Sequence, residues 1–281
     1  FMRILMDVTS LMERELTGIG IYIKNLILHL QKMSDVDIRG TWYAEKFRKK
    51  GLISTHTELP LTPYIYYISS LNLSKYDIFH GPNCKLPHSR FYQKVVTVHD
   101  LVDYEEAIID KKRAAYSIAK YNKLFLDCRP DRIITVSDFT RSYFLERFPQ
   151  FESITRTIHL GIDHIATLSE ASAIKPYESP YILFVGVNDK RKNLGKIVEA
   201  FEIAKETVSD LHLVIVGKNG YHHEIADEKI ERSRFAEHIH RLGFIDNEKL
   251  VNLYYHAEAF VFPSLYEGFG IPILEAMRIG C

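Results

Sequence analysis

Long apolar runs, an excess of charge of either sign, and cysteine are what this chain lacks. No stretch approaches the roughly 20 consecutive apolar residues that a membrane-spanning helix needs. Lys plus Arg and Asp plus Glu number 36 each, so the formal net charge is zero. A general binder of nucleic acid would carry a basic excess, so no nucleic-acid partner is expected. The three cysteines, Cys84, Cys128 and Cys281, have no metal-ligand spacing and are too few for a disulfide framework, which fits a reducing compartment. The start, Phe1-Met-Arg-Ile-Leu-Met-Asp7, is too short and turns polar too soon for a signal peptide, and Phe1 before Met2 reads as an added residue. No internal repeat or low-complexity segment is present. These absences point to a cytoplasmic globular protein.

What is there is an α/β pattern in 281 residues, long enough for two domains. The first half opens with a strand over residues 3–8, then Gly18-Ile-Gly20 and a helix over 21–30 with one apolar face. Strand, glycine pair and helix open many nucleotide-type α/β units. Ile23 stands where the dinucleotide fingerprint has its third glycine, so locally a tight turn into a helix is the simpler reading. Asp35-Val-Asp37 has the Asp-x-Asp form of some metal-dependent transferases but precedes a strand over 38–43 and reads as a solvated turn. The basic run in 47–51 reads as a solvated face. Strands follow over 76–80, 94–98 and 131–136, and His99-Asp100 sits at the carboxyl end of the second of these, where open α/β sheets bind ligands. A lone His is more often a packing residue; its place at a strand end favours function. The helix over 109–126 carries Lys111, Lys112, Arg113, Lys120 and Lys123 with Tyr116, Tyr121 and Phe125. That composition suits anionic lipid, although an ordinary amphipathic surface helix is the commoner case. Ser137 marks the start of a helix at Asp138.

A stretch rich in Ser, Ala and polar residues, with Pro176 and Pro180, divides the sequence. The expected domains are 1–168 and 181–281, with a linker over 169–180. A fresh α/β pattern then begins with a strand over 181–185 and a loop carrying Lys190, Arg191 and Lys192. A basic loop at a strand-to-helix turn suits a diphosphate, which Arg grips with two N–H groups and Lys as a point charge. An exposed charge run is the plainer alternative. The next strand, over 211–216, leads into a loop beginning at Gly217.

The densest pattern is Ala259-Phe-Val-Phe-Pro-Ser-Leu-Tyr-Glu-Gly-Phe-Gly-Ile-Pro-Ile-Leu-Glu-Ala-Met277. Residues 259–262 read as a buried strand ended by Pro263 and Ser264. Glu267 to Gly270 is a loop whose glycines let backbone approach a ligand. Pro272 suits the first turn of a helix that Gly280 ends, and Glu275 is expected in that first turn. An acidic residue there is common for dipole reasons alone. Two carboxylates flanking a helix N-terminus, however, describe a pocket for sugar hydroxyls and phosphate.

The whole string, with two Glu separated by seven residues, closely resembles the signature of retaining glycosyltransferases of family 4. The fold this resemblance implies is α/β GT-B: two Rossmann-like domains with parallel sheets facing across a cleft, the N-terminal one on the acceptor side. Because such enzymes run on past the position of Cys281, the second domain is expected to be incomplete and the protein truncated at its C-terminus. The activity implied is retaining transfer of a hexose from a nucleotide-diphosphate sugar, with no other cofactor and no metal required. By the same resemblance Glu267 binds the donor sugar, and Gly268, Phe269, Gly270 and Ile271 cradle sugar and phosphate. Glu275 would bind the ribose diol, and Gly18 and Gly20 would face the cleft. Gly217 would lie near the nucleoside, and Ile245 and Asp246 would read the base. His99 would lie beside the reacting sugar, with Asp100 orienting its ring or binding the acceptor. Val187 stands where the family has Arg, so the diphosphate is left to Arg191 and Lys192. The tract around Arg191 and the Tyr-Glu-Gly-Phe-Gly string resemble bacterial mannosyltransferases of O-antigen and capsule assembly. This implies GDP-mannose as donor, a glycan or polyprenyl-linked acceptor, and a place in the cytoplasm or at the inner membrane face. A non-catalytic sugar-nucleotide-binding subunit and a sugar-nucleotide epimerase of similar fold are the alternatives.

Overall fold

The computed structural model describes residues 1–42, 51–62, 75–87, 93–105, 108–165 and 175–281. Two compact units meet in sequence between Gly161 and Ile162. Residues 47–50 of the basic run and 169–174 of the expected linker lie outside the described residues.

Among the described residues, the first unit holds a parallel sheet of six strands: β1 (Met2–Asp7), β2 (Val36–Thr41), β3 (Ile78–Gly81), β4 (Gln93–Val98), β5 (Arg132–Thr135) and β6 (Thr155–Thr157), in the order β2-β1-β3-β4-β5-β6. The helices are α1 (Gly18–Leu30), α2 (Gly51–Ser54), α3 (Lys111–Cys128) and α4 (Asp138–Arg147). Parallel strands are covered on both faces and therefore read as near-continuous apolar runs. In β1, Leu5 packs with Phe79, Val96, Phe125 and Phe144 on one face, while Ile4 and Met6 pack with Ile23 and Ile27 of α1 on the other. Helix starts follow their caps: Asp110 accepts from Arg113 N at 3.0 Å and Ser137 from Thr140 N at 3.0 Å.

The second unit holds β7 (Tyr181–Val185), β8 (His212–Val216), β9 (Ile239–Gly243) and β10 (Ala259–Phe260), all parallel, in the order β10-β7-β8-β9. Its helices are α5 (Leu194–Thr207), α6 (Glu224–Arg232), α7 (Asn247–His256) and α8 (Ile271–Ile279). The period of two sorts the side chains: Leu183, Val185, Val214 and Val216 face α7 and α8, whereas Phe184, Leu213 and Ile215 face α5 and α6. The sheet order reverses beside β7, so the loops after β7 and β10 flank a switch point, where such sheets hold ligands.

Three local expectations are corrected. Gly18 and Gly20 lie inside the first turn of α1, because Ile21 N bonds Thr17 O at 2.9 Å and starts the helix earlier. The strand expected over 259–262 is reduced to Ala259–Phe260; Val261 N still bonds Leu183 O, but Pro263 has no N–H with which to continue. Glu275 lies beyond the first turn of α8, because that helix begins at Ile271 with Pro272 in its opening positions. Among the described residues, no helix is long and apolar enough to cross a membrane.

Gly217 fixes how closely the loops after β7 and β8 approach. Its φ is +131°, and a Cβ there would stand 1.9 Å from Gly186 O. Gly217→Ala is expected to cost about 2 kcal/mol or more in urea unfolding, from strain plus overlap. Gly51→Ala, whose Cβ would meet nothing within 4 Å, is expected to stay within about 1 kcal/mol of the parent.

Candidate functional site

In the second unit the sheet reversal places the loop after β7 beside the loop after β10. Asp189 opens a short 3-10 turn, Lys190–Lys192, and its carboxylate accepts from Lys192 N at 3.2 Å. This turn presents Arg191 and Lys192 on one side of Glu267. Lys192 Nζ donates to Glu267 Oε1 at 2.7 Å, and Arg191 Nη1 donates to Oε2 at 3.0 Å. Arg191 also approaches Asp189 at 3.7 Å, and Leu265 N bonds Arg191 O at 2.8 Å, tying the two loops by backbone as well. Lys192 is buried, with its ammonium 4.5 Å from the centre of the Phe262 ring. Burial lowers its pKa from the ordinary value, and the Glu267 carboxylate opposes that shift. Two cations thus converge with two carboxylates at a partly buried point where charge is weakly screened.

The loop Gly268-Phe-Gly270 follows directly. Gly268 and Gly270 are buried and Phe269 half-buried. Gly270 takes φ +88° as the residue before α8, a conformation that favours glycine, and Ile271 opens the helix. One turn on, Glu275 is buried: Tyr254 Oη donates to its Oε2 at 3.0 Å and His164 Nε2 donates to its Oε1 at 2.7 Å. Burial and the neighbouring carboxylate push the Tyr254 hydroxyl far above its usual range, so it remains a donor. Gly217 is the first residue after β8. Ile245 packs against the core formed by β7, β8, α7 and α8, and Asp246 caps α7 by accepting from Lys249 N at 2.9 Å. That bond holds the Asp246 carboxyl below its ordinary range.

The first unit gathers its own polar set at the carboxyl ends of β3 and β4. His99 Nε2 donates to Pro82 O at 2.8 Å, and its ring meets Tyr22 edge-on at 5.0 Å. Tyr22 Oη and His80 Nε2 both bond Thr97 Oγ1, at 3.2 and 2.9 Å. Asp100 Oδ1 accepts from Val102 N at 3.4 Å. Gly20 packs against Leu16 and Ser10, where an added Cβ would sit 3.0–3.3 Å from its neighbours. Burial drives both His80 and His99 down to about 4.

The structure therefore brings Arg191, Lys192 and Glu267 together and sets Gly268 to Ile271 and Glu275 in the adjoining loop and helix. Sequence reasoning missed His164, Tyr254, His80 and Asp189. His164 and Glu275 lie 111 residues apart, and no local spacing signals their bond.

Comparison with known proteins follows the same division. Residues 167–281 match the family model described as glycosyl transferases group 1. The chain is 33% identical over 211 residues to O-antigen chain mannosyltransferase B of Escherichia coli, a match taking in 72% of this chain and 55% of that protein. The matched part thus spans about half the length of this curated relative. Sucrose-phosphate synthase from Thermosynechococcus elongatus superposes with a TM-score of 0.69 at 19% identity, covering 100% of this chain and 80% of that one. Anabaena Alr3699/HepE, solved in complex with UDP-glucose, gives 0.70 at 14% identity, covering 100% and 79%. The fold is GT-B, and the resemblance to group 1 glycosyl transferases and to O-antigen mannosyltransferases is borne out.

Acid should weaken the first unit. His80 and His99 are held neutral down to about 4, whereas an unfolded His takes its proton near 6.5. Below about 6.5 the unfolded chain binds more protons, so stability falls with pH until about 4. Urea unfolding at pH 7 and pH 5 should show a loss on the order of 2 kcal/mol per histidine. His80→Asn should remove about half of that pH dependence.

Proposed function

We propose that this chain transfers a hexose from a nucleotide-diphosphate sugar to a hydroxyl group, with retention at the anomeric carbon. The observation that carries the reading is the convergence of Arg191 and Lys192 on Glu267 at the sheet's switch point. In the reaction the bond between the anomeric carbon and the phosphate oxygen breaks, and a bond to the acceptor oxygen forms on the same face while the acceptor proton is released. Negative charge grows on the departing diphosphate. Fixed cations aimed at growing charge are worth more in a partly buried site than in water, because they need no reorganisation. Arg191 and Lys192 supply that charge, and no divalent metal is needed in this account. Glu267 accepts from hydroxyls of the donor sugar, and backbone N–H groups of the 268–271 loop meet sugar and phosphate. Glu275 binds the ribose diol, while Ile245 and Asp246 lie where the base would be read. His99 is assigned to the reacting sugar, with Asp100 orienting its ring or binding the acceptor.

Mannose from GDP-mannose is the proposed donor. The mannosyltransferase among the relatives supports the sugar. A carboxylate such as Asp246, able to accept from guanine N1 and N2, supports the base. The same relative, an O-antigen chain mannosyltransferase, supports a glycan or polyprenyl-linked acceptor, and the basic helix α3 with exposed Tyr116 suits a peripheral contact with an anionic inner membrane.

Calorimetric titration of the full chain with GDP, UDP and ADP, with and without their hexoses, tests the reading. GDP should bind best, and Glu275→Ala should weaken it about tenfold. Lys192→Met should lower transfer on the order of a hundredfold. Failure of all three nucleotides to bind would overturn the proposal.

A further inference from the structure

Glu275 is a buried carboxylate whose two protein partners come from different elements. Tyr254 belongs to α7, and His164 to the segment that leads from the first unit into the second. That segment is clamped to the helices around it. Asp163 pairs with Arg278 of α8 at 3.4 Å, Asn247 of α7 donates to His164 O at 3.2 Å, and Ile165 is buried in the core with Tyr254, Ala276 and Ile279. The His164 side chain is only 8% exposed, and its Nδ1 is buried with no hydrogen-bond partner.

That unpartnered nitrogen bears on which ring nitrogen donates. A buried N–H without an acceptor is costly, which favours the tautomer that carries its proton on Nε2, facing Glu275. His164 therefore donates one hydrogen bond to Glu275. Tyr254 donates the other. An ionised carboxylate has about four acceptor directions. Two are used here, one on each oxygen, which leaves one free direction on each oxygen. Two acceptors side by side, one per oxygen, match the two hydroxyls of a vicinal diol.

We propose that His164 and Tyr254 are positioning residues, which hold the Glu275 carboxylate so that its remaining acceptor directions meet the 2′ and 3′ hydroxyls of the ribose in a nucleoside diphosphate. This rests on the nucleotide-sugar reading above and adds two residues that it did not use. Because His164 lies in the segment joining the units, the ribose contact is set by how that segment docks on α7 and α8. Loss of either donor frees the carboxylate to rotate and spoils its match to the diol while leaving the diphosphate contacts of Arg191 and Lys192 in place.

The test is the ratio of affinities for 2′-deoxy-GDP and GDP, measured by calorimetry on the full chain, with the UDP and ADP pairs run alongside. A ratio of two affinities does not depend on the fraction of the sample that is folded. The wild-type protein should prefer the ribonucleotide about tenfold, as expected for a hydroxyl bonded to a charged acceptor. Tyr254→Phe, which removes one oxygen atom, and His164→Leu should each bring the ratio to about threefold or less. His164→Gln, which can place an N–H donor where Nε2 stands, should restore most of it. If Tyr254→Phe and His164→Leu weaken both nucleotides equally and leave the ratio unchanged, the two residues are structural and the proposal is overturned while the nucleotide reading stands. If Glu275→Gln also leaves the ratio unchanged, or no nucleotide binds, the ribose assignment itself falls and this proposal with it.

Discussion

The bond pair from Lys192 and Arg191 to the two oxygens of Glu267 is the contact on which the chemistry proposed for the second unit rests. It joins the loop after β7 to the loop after β10, the two strands that flank the reversal in sheet order. Neither cation is a loose surface charge: Lys192 is buried against Phe262, and Arg191 is fixed by its own backbone bond to Leu265 N. Their geometry is set by the fold before any substrate arrives. A diphosphate would compete with Glu267 for the same N–H groups. The carboxylate thus lowers the cost of burying two positive charges, and in the proposed reaction it would be released toward sugar hydroxyls when phosphate takes its place.

Around that point the backbone is shaped for close approach. Gly217 lets the loops after β7 and β8 touch, and Gly270 turns the backbone into α8. The second carboxylate, Glu275, is held quite differently. It accepts from a tyrosine hydroxyl and a histidine ring rather than from Lys or Arg, which suits an acceptor of hydroxyls more than a partner for phosphate. Two glutamates in one short stretch therefore have distinct surroundings, which fits the separate sugar and ribose roles proposed for them.

Much of this was legible in the sequence, for physical reasons. Central strands such as β7 and β8 are buried on both faces and so appear as unbroken apolar runs. The strands that were missed or shortened, β6, β9 and β10, lie at sheet edges and pair on one side only; β6 and β9 carry exposed Arg156 and Arg241, and β10 is only two residues long. Helix α6 escaped notice because its apolar positions are few among six charged ones. The association of Arg191 and Lys192 with Glu267 rested on resemblance alone, since about 75 residues separate them. His164 was invisible: its role depends on a bond across 111 residues, made by a segment with no pattern of its own.

If Glu267 is the counter-ion that a diphosphate displaces, one substitution reveals it directly. Glu267→Gln keeps the shape of the side chain and removes its charge, so the amide is a poor competitor for Arg191 and Lys192. Calorimetric titration with GDP, without any sugar, should show several-fold tighter binding to Glu267→Gln than to the parent protein at low salt, and the gain should shrink as salt screens the cations. Unchanged or weaker binding of GDP to Glu267→Gln would contradict the account, because the two cations would then owe their availability to something other than this carboxylate.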